Sequence, residues 1–484
     1  MPGDNTSKDG EQTIFRELSI SNPKTGNAVD LRGGLIDFRL YESILSNHIT
    51  AELIIGETGY SVEVDNQMKN VLDGLPVRGG EPVRIRAIDP QGNEVNFTGK
   101  NALYVNKVRN VLTDSTRSIF TLDLCTKEYL GNEQTRVVKR YSGKISETVS
   151  KILTDVLKTT TPLDIEETSN SYNFIGNIKK PFYIVTWLAS RSIPADGAYG
   201  KTAGFFFYET RDGFQYKSIE TLVGPTKGGG SADSKDAPKY EFTQTDKLTQ
   251  GYDGKILSWN INQNIDVQSK LAVGAYNTRL TFFNPYTFEV KTKDFSLQND
   301  QVGEVKSAGT QLNFVAEEFL ETSTRGVSGI MDVGCLPSGR EGRQQLHTWK
   351  KKRDETNDKI TDRMTQAITR YNQLFSISVD IMIKGNFEFK AGDMIYCAYT
   401  EPGGTTPNPQ TKGLYVIASV CHKVTAAESY STMNLIRDSF TLKPAPPSNP
   451  PLSEPEKPVG IMRALTGIAD ALTFNRFDFD KRGR

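Results

Sequence analysis

The chain is poor in the side chains that bind metals and attack substrates. Its 484 residues include only four cysteines and three histidines. Cys125, Cys335, Cys397 and Cys421 lie far apart without a CxxC pair, which fits a reducing compartment better than a disulfide framework. His48, His347 and His422 show no HxxxH spacing, so a closed zinc site would need ligands from distant segments. Also absent are HExxH, GxSxG, GxGxxG and EF-hand patterns, leaving no positive case for an enzyme or a cofactor. No apolar run reaches the roughly 18 residues needed to span a bilayer, and the polar start MPGDNTSKDGEQ has no apolar core of a leader. A non-secreted chain without membrane anchoring is expected. Lys plus Arg equals Asp plus Glu at 58 each, so net charge calls for neither nucleic acid nor an anionic membrane.

What is present is mostly β pattern. TIFRELSI, LIDFRLYESI and NHITAELIIG alternate in the manner of half-buried strands, split by the turn clusters NPKTGN and RGG. EPVRIRAID, EVNFTG, LYVNKVRNVL and RSIFTLDLCT continue the series, a spacing that suggests an antiparallel barrel or sandwich. From Ser142, placed as an N-cap, SGKISETVSKILTDVLKT switches to helical period. A second helix starts at Pro181, and the Asp212-Gly213 pair predicts a hairpin in GFFFYETRDGFQYKSI. GPTKGGGSADSKDAP reads as an exposed loop, and DKITDRMTQAITRYNQLF as a polar helix before the last strands.

The most informative pattern is an internal echo. Leu103-Tyr104-Val105 is matched by Leu414-Tyr415-Val416, and Ser118, Thr121, Leu122, Asp123 and Leu124 by Ser429, Thr432, Met433, Asn434 and Leu435. Both sets recur at one separation of roughly 310 residues, and the strand EPVRIRA falls where GDMIYCA falls. The expected fold class is therefore mainly β with an α+β insert, containing two similar antiparallel β-barrels. The chain divides into a disordered N-terminus 1–12, a first barrel 13–130, a helix and hairpin insert 131–250 and a mixed β region 251–357. A helix with the second barrel's hairpins follows at 358–443, then a Pro-rich linker 444–458 and a C-terminal docking helix and tail 459–484. On that helix Ile461, Met462, Leu465, Ile468 and Leu472 share one face, and Phe474, Phe477 and Phe479 follow as candidate anchors for a partner. A homotrimer of such a chain presents six similar modules around a three-fold axis.

Several stretches invite catalytic or binding readings. ADGAYGKT, Ala195 to Thr202, resembles a relaxed P-loop, but the helix precedes it and the strand follows, the reverse of a phosphate cradle. Cys421 and His422 are neighbours on one alternating strand, so their side chains point to opposite faces and cannot activate one another. WKKKRDETNDK mixes basic residues with acidic ones and reads as a solvated face. Glu209 and Asp212 on the hairpin are the carboxylates a peptidoglycan hydrolase would use, and Phe205 to Tyr208 the stacking face of a saccharide binder. Alternating aromatics of this kind are more often core.

The order of elements carries a resemblance: SGKISETVSKILTDVL, then KPFYIVTWLASRSI followed by GFFFYETRDGFQYKSI, a polar helix, and the closing GLYVIASVCHKV and YSTMNLIRDS. Over residues 13–440 the chain resembles the baseplate hub proteins of contractile-tailed bacteriophages, whose fold is shared by the N-terminal part of type VI secretion spike proteins. The resemblance implies tube-protein-like barrels in a homotrimeric, pseudo-six-fold ring of the virion. Its partners would be the tail tube or a tube-initiator protein, the central spike and the baseplate wedges, with DNA passing through the lumen unread. It implies no catalytic, cofactor or metal residues. The alternatives are a hub or spike component of a related contractile injection system, and a tail-associated peptidoglycan hydrolase.

Overall fold

A computed structural model describes residues 12–58, 62–64, 66–114, 117–195, 202–223, 237–242, 254–263, 266–285, 287–296, 323–331, 343–344, 347, 357, 360–400, 408 and 411–438. The Pro-rich linker and all eight candidate docking residues from Ile461 to Phe479 lie outside them, as do most of ADGAYGKT and WKKKRDETNDK. No helix among the described residues is long and apolar enough to cross a membrane.

The first part of the chain forms β1 (Ile14–Ser21), β2 (Ala28–Asp30), β3 (Leu35–Ser43), β4 (Thr50–Thr58), a small hairpin of β5 (Val62–Val64) and β6 (Gln67–Lys69), β7 (Pro82–Ile88), β8 (Glu94–Phe97), β9 (Leu103–Thr113) and β10 (Arg117–Cys125). The insert holds β11 (Arg140–Tyr141), β12 (Leu163–Ile165), β13 (Phe174–Ile175), β14 (Phe205–Thr210) and β15 (Gly213–Ser218). The last part comprises β16 (Lys239–Phe242), β17 (Ile256–Gln263), a side sheet of β18 (Asn277–Phe283), β19 (Val290–Ser296) and β20 (Arg325–Ile330), then β21 (Ile377–Lys384), β22 (Met394–Tyr399), β23 (Gly413–Thr425) and β24 (Ser429–Arg437).

The echo is a duplication of topology. The first unit orders its strands β3-β4-β10-β9-β7-β1, and the second orders its own β17-β21-β24-β23-β22-β16. Each strand's counterpart also comes in the same chain order. Both units carry a bulge at the same place: Asn106 is skipped in the ladder opposite Asp123 and Leu124, Ala418 in the ladder opposite Asn434 and Leu435. The copies also differ, since β7 pairs β1 antiparallel whereas β22 pairs β16 parallel, and β9 has a second bulge between Arg109 and Leu112 that β23 lacks. The ladder also corrects the sequence match by one residue. Pro82 pairs Tyr104 and Met394 pairs Val416, so Tyr104 is the counterpart of Val416 and not of Tyr415. Burial agrees: Leu103 and Val105 enter the first core, Tyr415 and Ile417 the second.

The two units are not closed barrels. Among the described residues β1 and β3 share no ladder, and the ends of the second unit meet only at the bridge Glu241↔Lys255. The physical reason in the first unit is that the outer edge of β3 is taken. β23 pairs it from Asp37 to Ser43, which fuses both units into one continuous sheet.

Separate apolar cores fill the first unit, the second unit and the insert, where Val149, Ile152, Leu153, Val185, Leu188, Phe205 and Phe214 pack together. The insert's first helix is Ile145–Lys151, running on into a wider turn Ile152–Val156. Ser142 is not its cap. Gly143 takes φ +101°, and the first free N–H groups are met from the later segment after β12, Ile145 by Asn170 O at 3.2 Å and Ser146 by Thr168 Oγ1 at 3.0 Å. The second helix, Pro181–Ala189, does begin on its proline.

Candidate functional site

Strand β14 explains how the insert is held. Every residue from Phe205 to Thr210 is buried, because both faces of the strand are covered. Phe205 and Phe207 face the insert core, whereas Phe206 and Tyr208 pack with Ile44, Val416, Ala418 and Ile436 at the junction of the two units. The aromatics form no stacking face for a saccharide. They are the plate between three bodies of the fold.

Behind that plate lies a cluster of buried ionisable groups around Arg211. Glu42 of β3, 1% exposed, accepts from the backbone N–H groups of Arg211 and Ala391, each at 3.3 Å. Burial raises the affinity of its carboxyl for a proton, and the nearby Arg211 guanidinium opposes that effect. Arg211 in turn donates to the carbonyls of Glu388 at 3.1 Å and Phe389 at 2.7 Å. His422 of β23 is fully buried, and its Nε2 donates to Phe389 O at 3.1 Å. Nδ1 is then left to accept from the Ser431 hydroxyl at 2.9 Å. Burial, with Arg211 nearby, pushes this imidazole down to about 3. Glu209 of β14 accepts from Thr126 Oγ1 at 2.9 Å and from Ile49 N–H at 3.2 Å, and burial pushes it up to about 8.

Such groups tempt a catalytic reading, so their access matters. A hollow of about 50 Å³ is lined by Ile49, Thr126, Glu128, Glu209 and Arg211. A second, of about 260 Å³, is lined by Asp164, Tyr208, Asp212, Lys217, Lys390 and Asp393. Glu209 and Asp212 therefore line different hollows, and Asp212 is ion-paired with Lys390. A glycosidase needs its two carboxyls flanking one bond. These two are not brought together.

The other sequence candidates resolve in the same direction. Cys421 and His422 do point to opposite faces: the histidine is inside, while the half-buried thiol pairs across to Tyr41 and is pushed up by burial. Thr202, the last residue of the P-loop-like stretch, is buried with its hydroxyl donated to the Glu220 carboxylate. Among the described residues no cluster of three or more His, Cys, Asp or Glu could hold a metal ion.

What remains as a functional feature is the sheet itself, and above all the joint in which β23 crosses from one unit to the other. Its first half, Gly413 to Val416, pairs β22, and its second half, Ser419 to Thr425, pairs β3 on the same side. Val420, His422 and Val424 are at most 2% exposed there. Sequence reading missed this joint, although β23 runs for 13 residues.

No family model matches the chain, and no curated protein sequence matches it. Its structural neighbours are tail and baseplate proteins of phages and type VI secretion spike complexes. The chain is similar to a tail protein from Neisseria meningitidis at 10% identity and TM-score 0.46, over 88% of this chain and 97% of that one. A 43 kDa tail protein of a Shewanella oneidensis prophage is similar at 10% identity and TM-score 0.46, over 87% and 98%. A component of the type VI secretion system of Escherichia coli follows at 7% identity and TM-score 0.39, over 90% and 79%.

Proposed function

We propose that the chain is a structural component of a phage tail baseplate, the central hub, acting as a homotrimeric ring of six like units. One observation carries the reading: two units with the same six-strand order and the same bulge are fused edge to edge into one sheet. A chain built this way repeats a surface within itself, and three copies repeat it six times under three-fold symmetry. Such a ring can meet a six-fold tail tube on one face and a three-fold spike on the other, with wedge proteins outside and DNA crossing the lumen. Carboxylates that line separate hollows favour assembly over catalysis. The segment with Ile461, Met462, Leu465, Ile468, Leu472, Phe474, Phe477 and Phe479 is proposed to dock a neighbouring baseplate protein.

Light scattering and negative-stain imaging of the full chain test the reading. A trimer with a central hole is expected, and a monomer at micromolar concentration overturns it. Deleting residues 444–484 should leave the trimer intact and impair particle assembly.

A further inference from the structure

The second unit leaves free a carboxylate oxygen whose counterpart in the first unit is bonded. At the first unit's corner Glu81 uses both oxygens, accepting from Arg78 N–H at 2.8 Å and from Gly79 N–H at 2.9 Å. The matching residue is Asp393, since Pro82 and Met394, each next in the chain, hold the same place in their ladders. Asp393 accepts from Lys390 N–H through Oδ2 at 2.9 Å, but the N–H of Ala391 goes to Glu42 at 3.3 Å. Oδ1 is left without a hydrogen-bond partner among the described residues. Asp393 lines the hollow of about 260 Å³.

Tyr208 lines the same hollow from the insert. It is 3% exposed, and its hydroxyl, beside Gly392, carries no hydrogen bond among the described residues. Leaving a buried hydroxyl unpaired is costly, which points to a ligand group at that place. Gln215 of β15 is its ladder partner, and Asp164 of β12 is paired with Gln215 in turn, so the three side chains stand in one row on one face. The Gln215 amide is also without a partner among the described residues, and it lines the hollow too.

Charge decides what fits. Lys217 is held by Asp164 at 2.5 Å and Lys390 by Asp212, so both ammonium groups of the lining are already matched. Asp393 is the surplus negative charge. Burial raises the proton affinity of its carboxyl, and the charges of Lys390 and Arg211 oppose that effect. An anion would meet no unmatched ammonium here. A cation with several N–H donors would meet Asp393, the Gln215 carbonyl and the Tyr208 oxygen, while Leu222 and Ala391 offer apolar surface to a methylene stem. A planar guanidinium has that donor set. We propose that the hollow receives an arginine side chain of another protein, its guanidinium paired with Asp393 and bonded to Gln215 and Tyr208. The exposed carboxylates Asp164 and Asp212 at its mouth disfavour the α-carboxylate of a free amino acid. That the partner belongs to a baseplate rests on the reading above, whereas the pocket does not.

The test is ligand-observed NMR on the full chain with N-acetyl-arginine amide as the probe. Saturable binding with a Kd of about 1 mM is expected. N-acetyl-citrulline amide, which keeps the shape and loses the charge, should bind about tenfold more weakly. No binding of the arginine probe, or equal binding of the citrulline, overturns the proposal, and tighter binding of free arginine overturns a protein source. D393N keeps an oxygen for Lys390 N–H and should weaken the probe about tenfold, and Y208F about threefold. Unweakened binding by either variant, folded by circular dichroism, overturns the pocket. Light scattering on the same samples reads the ring separately: a monomer that binds the probe overturns the ring and supports the pocket.

Discussion

Gly80 and Gly392 occupy the same corner of the two units. Both have left-handed backbone, φ +87° and +89°, and each gives its N–H to the carbonyl at the bulge of the neighbouring long strand. The residues around them match as well: Glu81 caps Arg78 N–H at 2.8 Å, and Asp393 caps Lys390 N–H at 2.9 Å. Left-handed backbone disfavours any Cβ, so Gly80→Ala should cost about 1 kcal/mol. Gly392→Ala should cost about 1–3 kcal/mol more, because its Cβ would also strike the Tyr208 hydroxyl while the space beside Gly80 is open. Urea denaturation of the two variants checks the order. Adding Tyr208→Phe should recover part of the second loss only.

The duplication was legible in the sequence because core strands leave apolar residues at fixed intervals, as in Leu122-Asp123-Leu124 and Met433-Asn434-Leu435. Its register was not. β9 carries a second bulge between Arg109 and Leu112 that β23 lacks, so matching Tyr104 to Tyr415 by letter placed the strand one position off. Closure was also misread, because nothing in LIDFRLYES says that its second edge meets a strand from the far end of the chain. The hairpin was placed correctly by Asp212-Gly213, but the double-sided burial of Phe205 to Tyr208 was visible only as four successive aromatics. The burial of Glu42 and Glu209 left no signal, since a carboxylate on a strand reads as an outward residue.

Glu209 should make the fold sensitive to alkali. Its carboxyl titrates at about 8 in the folded chain and near 4.5 when unfolded, so the unfolded form loses its proton first. Its contribution is complete below pH 4.5 and is lost as pH rises through 8. Thermal melting across that range should show Tm falling for the wild type, with Glu209→Gln flattening the slope. An unchanged slope would mean that the carboxyl is ionised in place.

His422 should act in the opposite direction. The imidazole is held neutral between Phe389 O and Ser431, at about 3 against an ordinary 6.5. Its contribution is complete above pH 6.5 and is lost as pH falls toward 3, because only the unfolded chain takes up the proton. His422→Gln should reduce the acid slope of Tm in that window. Cys421→Ser, one residue away on the other face, should leave it unaltered.

Arg370 offers the sharpest test of how the polar helix is anchored. It is fully buried on the helix Ile360–Leu374, with its guanidinium 3.5 Å from Glu220, 3.6 Å from Asp438 and donating to Gln373 Oε1 at 2.8 Å. One cation thus ties this helix to the helix Ile219–Val223 behind β15 and to the residue just after β24. Arg370→Met keeps most of the volume but leaves two buried carboxylates without their guanidinium, a loss of about 3–5 kcal/mol. Glu220→Gln alone should cost less, because Arg370 keeps Asp438. The double variant should be more stable than the sum of the single losses implies, since the introduced thioether side chain then faces a neutral amide. Chemical denaturation of the four proteins in a double-mutant cycle measures that coupling. A coupling near zero would mean that Arg370 is held by its packing and by Gln373, and that the helix does not depend on this charge.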